Sequence, residues 1–438
     1  MTPGRTSTKL SHRRVLIALA AIPAIDCFCN QLSNALHISI GPLSLLQTIR
    51  GFLLVVFALI IMKSLLSDTS GISRIPLSAV GAAVVLGLAA SKELIITGTL
   101  SISSIGAYGQ MAYWVLLWTT VSILCSRREQ GEIILRGLAW GACLTAISVI
   151  FGLFVGSVNY YKNDSVYSSA GWFDTAKMIT GILVVGGIII LYLGRNSRSW
   201  LPCLAAGSCF TACVLTYARA GSVALVAVLL WFAIWRCVIA RGGDGIWLNR
   251  FLLIMVCVCI LVPVTVNTRR LLSRWNDVSD SDRGGSGRAT FWKVAVDAYV
   301  AEDAQEQTLG IGYSAMSDML LLNYGDDIKH THNDVLDLLL VGGFVGVLWL
   351  IGLTSAFARR ALSSSVRSVQ GATGVAIVLT YLCHSQLTGQ IWGTDAMTYY
   401  TLSLTCVMIG PGKNCAIEII PTRTGYSPGS YGTSLIPS

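Results

Sequence analysis

Polar residues cut this chain into a series of long apolar runs. Runs suited to helices lie near 15–35, 46–66, 75–96, 105–125, 133–157 and 176–194, and again near 200–218, 221–240, 250–266, 335–357, 371–388 and 394–411. A helix needs roughly 20 apolar residues to cross the hydrocarbon core of a bilayer. The pattern therefore predicts an all-α polytopic membrane protein with about 12 transmembrane helices. Three glycine pairs, Gly137/Gly141, Gly152/Gly156 and Gly342/Gly346, have the G-x-x-x-G spacing that lets two spans approach closely. The first run follows Arg5, Lys9, Arg13 and Arg14 as the core of a signal peptide would. It continues past any small-residue cleavage site, so an uncleaved first helix is expected.

Composition narrows the class further. Of 438 residues, 54% come from the apolar set and only 12% are charged, about half the charged fraction of a soluble domain. That excludes a cytosolic enzyme, and the high apolar content excludes a disordered chain. Most of the 13 cysteines fall inside apolar runs, no two have C-x-x-C spacing, and residues 267–333 contain none. Such cysteines act as small hydrophobes, which predicts neither a disulfide framework nor a zinc site.

The 31 Lys and Arg exceed the 22 Asp and Glu by 9, and their placement sets the topology. With the N-terminus in the cytoplasm, the inner segments collect Arg5, Lys9, Arg13, Arg14, Lys63, Arg74, Arg127, Arg128, Arg136, Arg195, Arg198, Arg236, Arg241, Arg250, Arg359, Arg360, Arg367, Lys413 and Arg423. The short outer loops hold little beyond Lys92, Lys162, Lys177 and Arg219. The positive-inside rule then predicts helices 1–9 over residues 1–266, an outer loop over 267–333, helices 10–12 over 334–411 and a polar cytoplasmic tail over 412–438.

The outer loop is long for a compact bundle, and such loops are usually functional. It carries ten acids and seven bases, net −3, with its arginines crowded into the first third. Within it, Ala289–Val300 places Phe291, Val294, Ala295 and Ala298 near one helical face, with Lys293 and Asp297 on another. This face could rest on the outer membrane surface. Gly310-Ile311-Gly312-Tyr313 marks a tight turn, and Asp318–Tyr324 is a second short apolar piece. A folded, partly helical loop capping the bundle is expected.

The densest local chemistry is the segment Lys329–Gly346, KHTHNDVLDLLLVGGFVG. His330 and His332 are two of only five histidines, and Asn333 and Asp334 follow them. An imidazole here suits a general base or a hydroxyl orienter at neutral pH. The plainer alternative is a wet helix start capped by Asn333 or Asp334. The residues alone leave both open.

His332, Asn333, Gly343 and Gly346 have the spacing of a family signature: His, then Asn, Ser or Gln, then nine residues and Gly-x-x-Gly. The segment resembles the O-antigen ligase and polysaccharide polymerase family. Gly310-Ile311-Gly312-Tyr313 is similar to its G-x-G turn, and Gly287-Arg288 with Trp292 to its G-R-x-x-x-W segment. Thr216–Ser222 (TYARAGS) resembles its S-R-G element, although Ala218 replaces the usual Ser and an extra residue precedes Gly221. Together these matches cover roughly residues 170–360.

The resemblance implies a transferase in a bacterial inner membrane, acting on its periplasmic side on a polyprenyl-diphosphate-linked glycan donor. His332 would be the catalytic residue, deprotonating or orienting the acceptor hydroxyl. Arg219 and Arg288 would bind the donor diphosphate, since arginine grips phosphate oxygens in bidentate geometry. His330, Asn333 and Trp292 would support them. Displacement of the polyprenyl diphosphate would invert the linkage without a metal or other cofactor. The acceptor would be another lipid-linked glycan for a polymerase, or lipid A core for an O-antigen ligase; protein glycosylation is a third option. The run Leu336-Asp337-Leu338-Leu339-Leu340 leans toward the exopolysaccharide polymerases. A flippase and a chain-length regulator would be natural partners beside the lipid bilayer.

Plainer roles compete for several of these residues. Arg219 could be a snorkelling interfacial charge, Arg288 a solvated loop charge, and Arg269, Arg270 and Arg274 headgroup contacts. Asp280-Ser281-Asp282 and Asp326-Asp327 could hold a divalent ion as in nucleotide-sugar transferases, but read more simply as solvated charge. With no G-x-G-x-x-G or P-loop in the sequence, nothing points to a nucleotide or a nucleic-acid partner. In Asn159–Thr175, Tyr160, Tyr161, Tyr167, Trp172 and Phe173 suit either sugar stacking or an interfacial aromatic belt. Asp26, Arg50, Glu93, His384 and Asp395 lie inside spans and would serve a transporter, the alternative of a different class. They are scattered over several spans with no inverted repeat.

Overall fold

A computed structural model describes residues 12–26, 39–40, 43–67, 74–155, 159–160, 167–168, 176–197, 199–216, 218–239, 250, 253–254, 288–324 and 330–409. Nearly all of these residues are helical. The first eight helices are α1 (12–26), α2 (Leu45–Ser67), α3 (Leu77–Thr97), α4 (Ile102–Leu124), α5 (Arg128–Val155), α6 (Ala176–Leu193), α7 (Leu201–Leu215) and α8 (Arg219–Ile234), the last continuing as a π-helical turn over Trp235–Ile239. Then come α9 (Arg288–Ala301), α10 (Ala304–Leu309), α11 (Tyr313–Tyr324), α12 (Asp334–Leu362), α13 (Val369–Leu387) and α14 (Thr394–Val407). Two antiparallel pairs of two-residue strands, Ser39–Ile40 with Leu43–Ser44 and Asn159–Tyr160 with Tyr167–Ser168, complete the described elements.

Among the described residues, six helices are long and apolar enough to cross a membrane, and they lie within α2, α3, α5, α6, α8 and α12. The other predicted spans divide into three kinds. Helices α4 and α13, of 23 and 19 residues, are long enough but carry more polar residues. Helices α7 and α14 are shorter, at 15 and 14 residues, and α1 covers 12–26. The run 250–266 lies almost wholly outside the described residues.

Local sequence sets the helix ends. Gly98 closes α3 in the left-handed region at φ 74°, and the Ser101 hydroxyl caps α4 by accepting from the Ser104 N–H. Ser368 caps α13 in the same way, and Asn333 caps α12. Helix α6 is apolar all round and buried from Ile179 through Ile189, as a central helix should be. It packs against α5, α7, α8, α13 and α14. By contrast α2 exposes Phe52, Val55, Leu59, Met62 and Leu66, the side a lipid would cover.

Small residues permit the closest helix contacts. A Cβ on Gly137 would lie 1.9 Å from the Ala20 carbonyl oxygen, and one on Gly141 would lie 2.9 Å from Pro23 Cβ. The Gly137/Gly141 spacing thus seats α1 on α5. The Gly342/Gly346 spacing works differently, because α12 is not one continuous helix. Gly343 sits at φ 59°, ψ −153° in its middle.

Contacts between helix ends define two ends of the bundle. At one, Arg74 donates to the Ile123 carbonyl, Arg195 pairs with Glu132, and Gln370 donates to the Val407 carbonyl. Arg13, Arg14, Arg127, Arg128, Arg359, Arg360 and Arg367 belong to segments at this basic end. At the opposite end lie the C-terminal half of α3, the N-terminal half of α4, the helices α9–α11, and the turn 388–393 between α13 and α14. Helix α10 packs against α12, α11 against α12, α4 and α3, and α9 against α12. Ala295 of α9 is buried, whereas Lys293, Val296, Asp297 and Val300 are exposed.

Candidate functional site

The break in α12 organises the end opposite the basic one. In a continuous helix the carbonyls of Leu340 and Val341 would accept from Phe344 and Val345, four residues on. Gly343 takes a conformation open mainly to glycine, and those carbonyls turn outward. They accept instead from the Ile311 N–H at 2.6 Å and the Gly312 N–H at 3.3 Å. The extended turn Gly310–Gly312, with φ 81° and 85° at its glycines, is thereby hooked into the helix. A Cβ on Gly310 would lie 2.3 Å from the Val341 oxygen, and one on Gly343 would lie 2.4 Å from the Thr308 carbonyl. Only glycine at both positions allows the two backbones to meet.

Helix α3 clamps the same turn from the side. Lys92 donates to the Gly310 carbonyl and lies 3.7 Å from Glu306. Buried Glu93 accepts from the Ser104 and Tyr108 hydroxyls, and the Tyr108 oxygen in turn accepts from the Tyr313 N–H at 3.1 Å. Tyr313 packs edge-on against Trp392 at 5.2 Å between ring centroids. Burial, reinforced by the Asp337 carboxylate, pushes the Tyr313 phenol up to about 12, so it stays neutral.

Beside this clamp the chain from His330 to Asp337 forms a compact polar knot. Thr331 is fully buried, and its N–H and hydroxyl both donate to Asp337 Oδ1, at 2.6 and 2.7 Å. The other oxygen of Asp337 lies 3.6 Å from Nδ1 of half-buried His330. The His332 N–H donates to that same Nδ1 at 3.3 Å, and the two imidazoles meet edge to face at 4.2 Å. His332 itself lies at φ 59°, the one described non-glycine residue with positive φ. Thr331 points inward while the two imidazoles stay partly exposed beside each other.

The start of α12 is tied to the end of α13. Asn333 caps α12 through Oδ1, accepting from Val335 and Leu336, while its amide nitrogen donates to the Gln386 carbonyl at 3.3 Å. Asp334, fully buried, accepts from the Gln390 and Ile391 N–H groups at 2.5 and 2.8 Å. Gly389, at φ 63°, lets this turn approach within contact distance of Asn333 and Asp337. The knot is held by buried carboxylates and backbone, where an unpartnered donor would cost about 1–3 kcal/mol.

Helix α9 brings two of the sequence candidates to the same place. Arg288 and Trp292 lie four residues apart on one face. Arg288 donates to the Leu387 carbonyl at the end of α13, and the Trp292 indole donates to the Thr331 carbonyl at 3.1 Å. A cation at a helix C-terminus is favoured by the carbonyl dipoles there. Arg288, Trp292, His330, His332 and Asn333 thus converge on one turn.

Arg219 comes from a separate element, as the half-buried first residue of α8. It lies at the same end. Gly221 packs on Thr180, Thr180 hydrogen-bonds His384 at 2.9 Å, and His384 is three residues before Leu387.

Sequence reasoning missed Asp337, which it met only as part of a leucine run, and gave Asp334 no role beyond capping. The available signal was two carboxylates three residues apart at the head of an apolar span, where charge is costly. Several other candidates lie outside the described residues: Arg269, Arg270, Arg274, the Asp280-Ser281-Asp282 triplet, Asp326-Asp327, and Tyr161, Trp172 and Phe173. Among the described residues no three His, Cys, Asp or Glu side chains are grouped as metal ligands.

The intramembrane ionisable residues are each engaged. Glu93 holds α4 and the loop clamp. His384 donates from Nδ1 to the Thr380 carbonyl, and its Nε2 is hydrogen-bonded to the Thr180 hydroxyl. Arg50 pairs with Asp395 and lies 3.5 Å from Asp26.

Residues 204–351 match the family model described as O-Antigen ligase. The match begins in α7 and ends in α12, so it takes in Arg219, Arg288, Trp292, the two histidines, Asn333 and the Gly343 break. It bears out the resemblance read from the sequence. No curated protein matches the chain.

Proposed function

We propose, from this O-antigen ligase segment and the convergence within it, that the chain is a membrane glycosyltransferase. It polymerises or transfers polyprenyl-diphosphate-linked glycan repeats, with polymerisation the favoured form and ligation to lipid A core the alternative. The observation that carries the reading is the meeting of Arg288, Trp292, His330, His332 and Asn333 at the end of α13. The basic end faces the cytoplasm under the positive-inside rule, and the knot then faces the periplasm in an inner membrane.

In this mechanism the acceptor hydroxyl attacks the anomeric carbon of the donor sugar and the polyprenyl diphosphate leaves, inverting the linkage. His332 takes the proton of the attacking hydroxyl. His330, with the Asp337 carboxylate 3.6 Å behind it, sets the position of the His332 backbone. Arg219 and Arg288 offset the charge that builds on the departing diphosphate, an electrostatic stabilisation of the transition state. Asn333 and Trp292 hold the histidine turn against α13 and α9.

The test is complementation of a deletion strain with His332→Ala, scored by the glycan ladder with protein abundance measured alongside. Loss of a general base costs about 10²–10⁴ in rate, so unpolymerised or unligated repeats should accumulate at a normal protein level. The ladder distinguishes the two acceptors. A wild-type ladder from His332→Ala removes the base assignment.

A further inference from the structure

The basic end of the bundle contains a second feature, remote from the histidine turn. A cleft of about 670 Å³ opens between α3, α4 and α12, within the range of about 300–1,000 Å³ typical of small-ligand sites. Its wall is aromatic: Trp118, Trp349 and Phe357, with Leu353 between them. The two indole N–H groups are already used, donating to Thr405 and to the Ser78 carbonyl, so the cleft is faced by apolar ring surface. Gly352 borders it with nothing within 4 Å of where a Cβ would stand. Leu77 and Gly352, two of the lining residues, are exposed, so the cleft opens onto the outside of the bundle, where a lipid would lie.

Arg359 and Arg360 stand at its rim. Among the described residues neither pairs with a carboxylate, and Nε of Arg360 is buried without a hydrogen-bond partner. Two guanidinium groups above an aromatic slot combine a phosphate-binding head with an apolar tail site. Basic pockets between spans at the cytoplasmic side of a bilayer meet anionic headgroups there.

We propose that this cleft binds one anionic phospholipid, with an acyl chain along Trp118, Trp349 and Phe357 and its phosphate between Arg359 and Arg360. The proposal uses the membrane embedding of the bundle and none of the transfer chemistry, so it stands or falls apart from the His332 assignment.

The experiment is native mass spectrometry of the full chain in detergent, titrated separately with phosphatidylglycerol, cardiolipin, phosphatidylcholine, a polyprenyl phosphate and inorganic phosphate. One anionic phospholipid should be retained per chain, in preference to phosphatidylcholine. Arg359→Gln with Arg360→Gln should weaken that retention by roughly tenfold or more. Gly352→Leu should displace the acyl chain, whereas Gly207→Leu, at another open glycine on α7, should not. If the arginine variant does not fold, the Gly352→Leu and Gly207→Leu pair decides alone. Equal retention of neutral and anionic lipid, wild-type retention in Gly352→Leu, or preference for polyprenyl phosphate or free phosphate would each overturn the proposal.

Discussion

His332 occupies backbone space that histidine seldom enters, at φ 59°. A left-handed conformation costs an L-residue roughly 1–2 kcal/mol, and such strain persists where surrounding contacts over-determine it. Here Thr331 is locked inward by Asp337 and Asn333 is locked into the cap of α12, so the residue between them has no freedom. Replacement by alanine and by glycine separates geometry from chemistry. His332→Gly should be more heat-stable than His332→Ala by about 1 kcal/mol, while both lack transfer activity; an active His332→Gly would show that only the backbone matters. Asp337 supplies the other residue-scale test. Asp337→Ala strands the buried Thr331 N–H, at about 1–3 kcal/mol, and should lower the melting temperature, while the Thr331 hydroxyl keeps the Asn333 carbonyl as an acceptor at 3.1 Å. His330→Ala leaves those bonds intact and should cost activity with little loss of stability. Equal destabilisation by both substitutions would refute the assignment of Asp337 to the fold of the turn.

At the scale of elements, α12 illustrates what an apolar run conceals. An apolar run near 335–357 and a cap at Asn333 or Asp334 are legible from residue types, because polar punctuation and capping are local properties; the helix itself runs on to Leu362, with Asn333 as its cap. Its break is not legible, since Gly342, Gly343 and Gly346 fit helix packing equally well. The break is non-local: Gly343 leaves the helix because Gly310–Gly312, some thirty residues earlier in the chain, arrives to satisfy two carbonyls. The same limit hid Asp337, whose partner is the backbone of a turn that no periodicity announces. Substitutions discriminate the two roles of glycine. Gly343→Ala and Gly310→Ala each combine a positive φ with a backbone clash and should destabilise by about 3 kcal/mol or more. Gly342→Ala meets only Val85 Cγ1, at 3.2 Å, and should be tolerated to within about 1 kcal/mol. Limited proteolysis provides the check, with faster cleavage in residues 288–324 of the first two variants. Similar behaviour of all three would favour simple helix packing over the hooked turn.

Across the whole molecule, charge inside the bundle separates a transferase from a transporter. A transporter would need Asp26 and Glu93 able to exchange ions or protons. Glu93 is instead committed to the Ser104 and Tyr108 hydroxyls that clamp the loop. Asp26, Arg50 and Asp395 tie α1, α2 and α14 together at the end where the histidine turn lies. A buried ion cluster is costly to desolvate but more costly to break, because removing one partner leaves the others uncompensated. Arg50→Met should therefore destabilise the protein by about 3–5 kcal/mol. The triple replacement Asp26→Leu, Arg50→Met and Asp395→Leu removes every charge at once and should recover most of that loss. Thermal melts of the purified variants, with the glycan ladder in complemented cells, read both quantities. A triple variant that folds and still transfers glycan makes the cluster a structural tie. One that folds at normal abundance without activity would move the ion cluster into the working site.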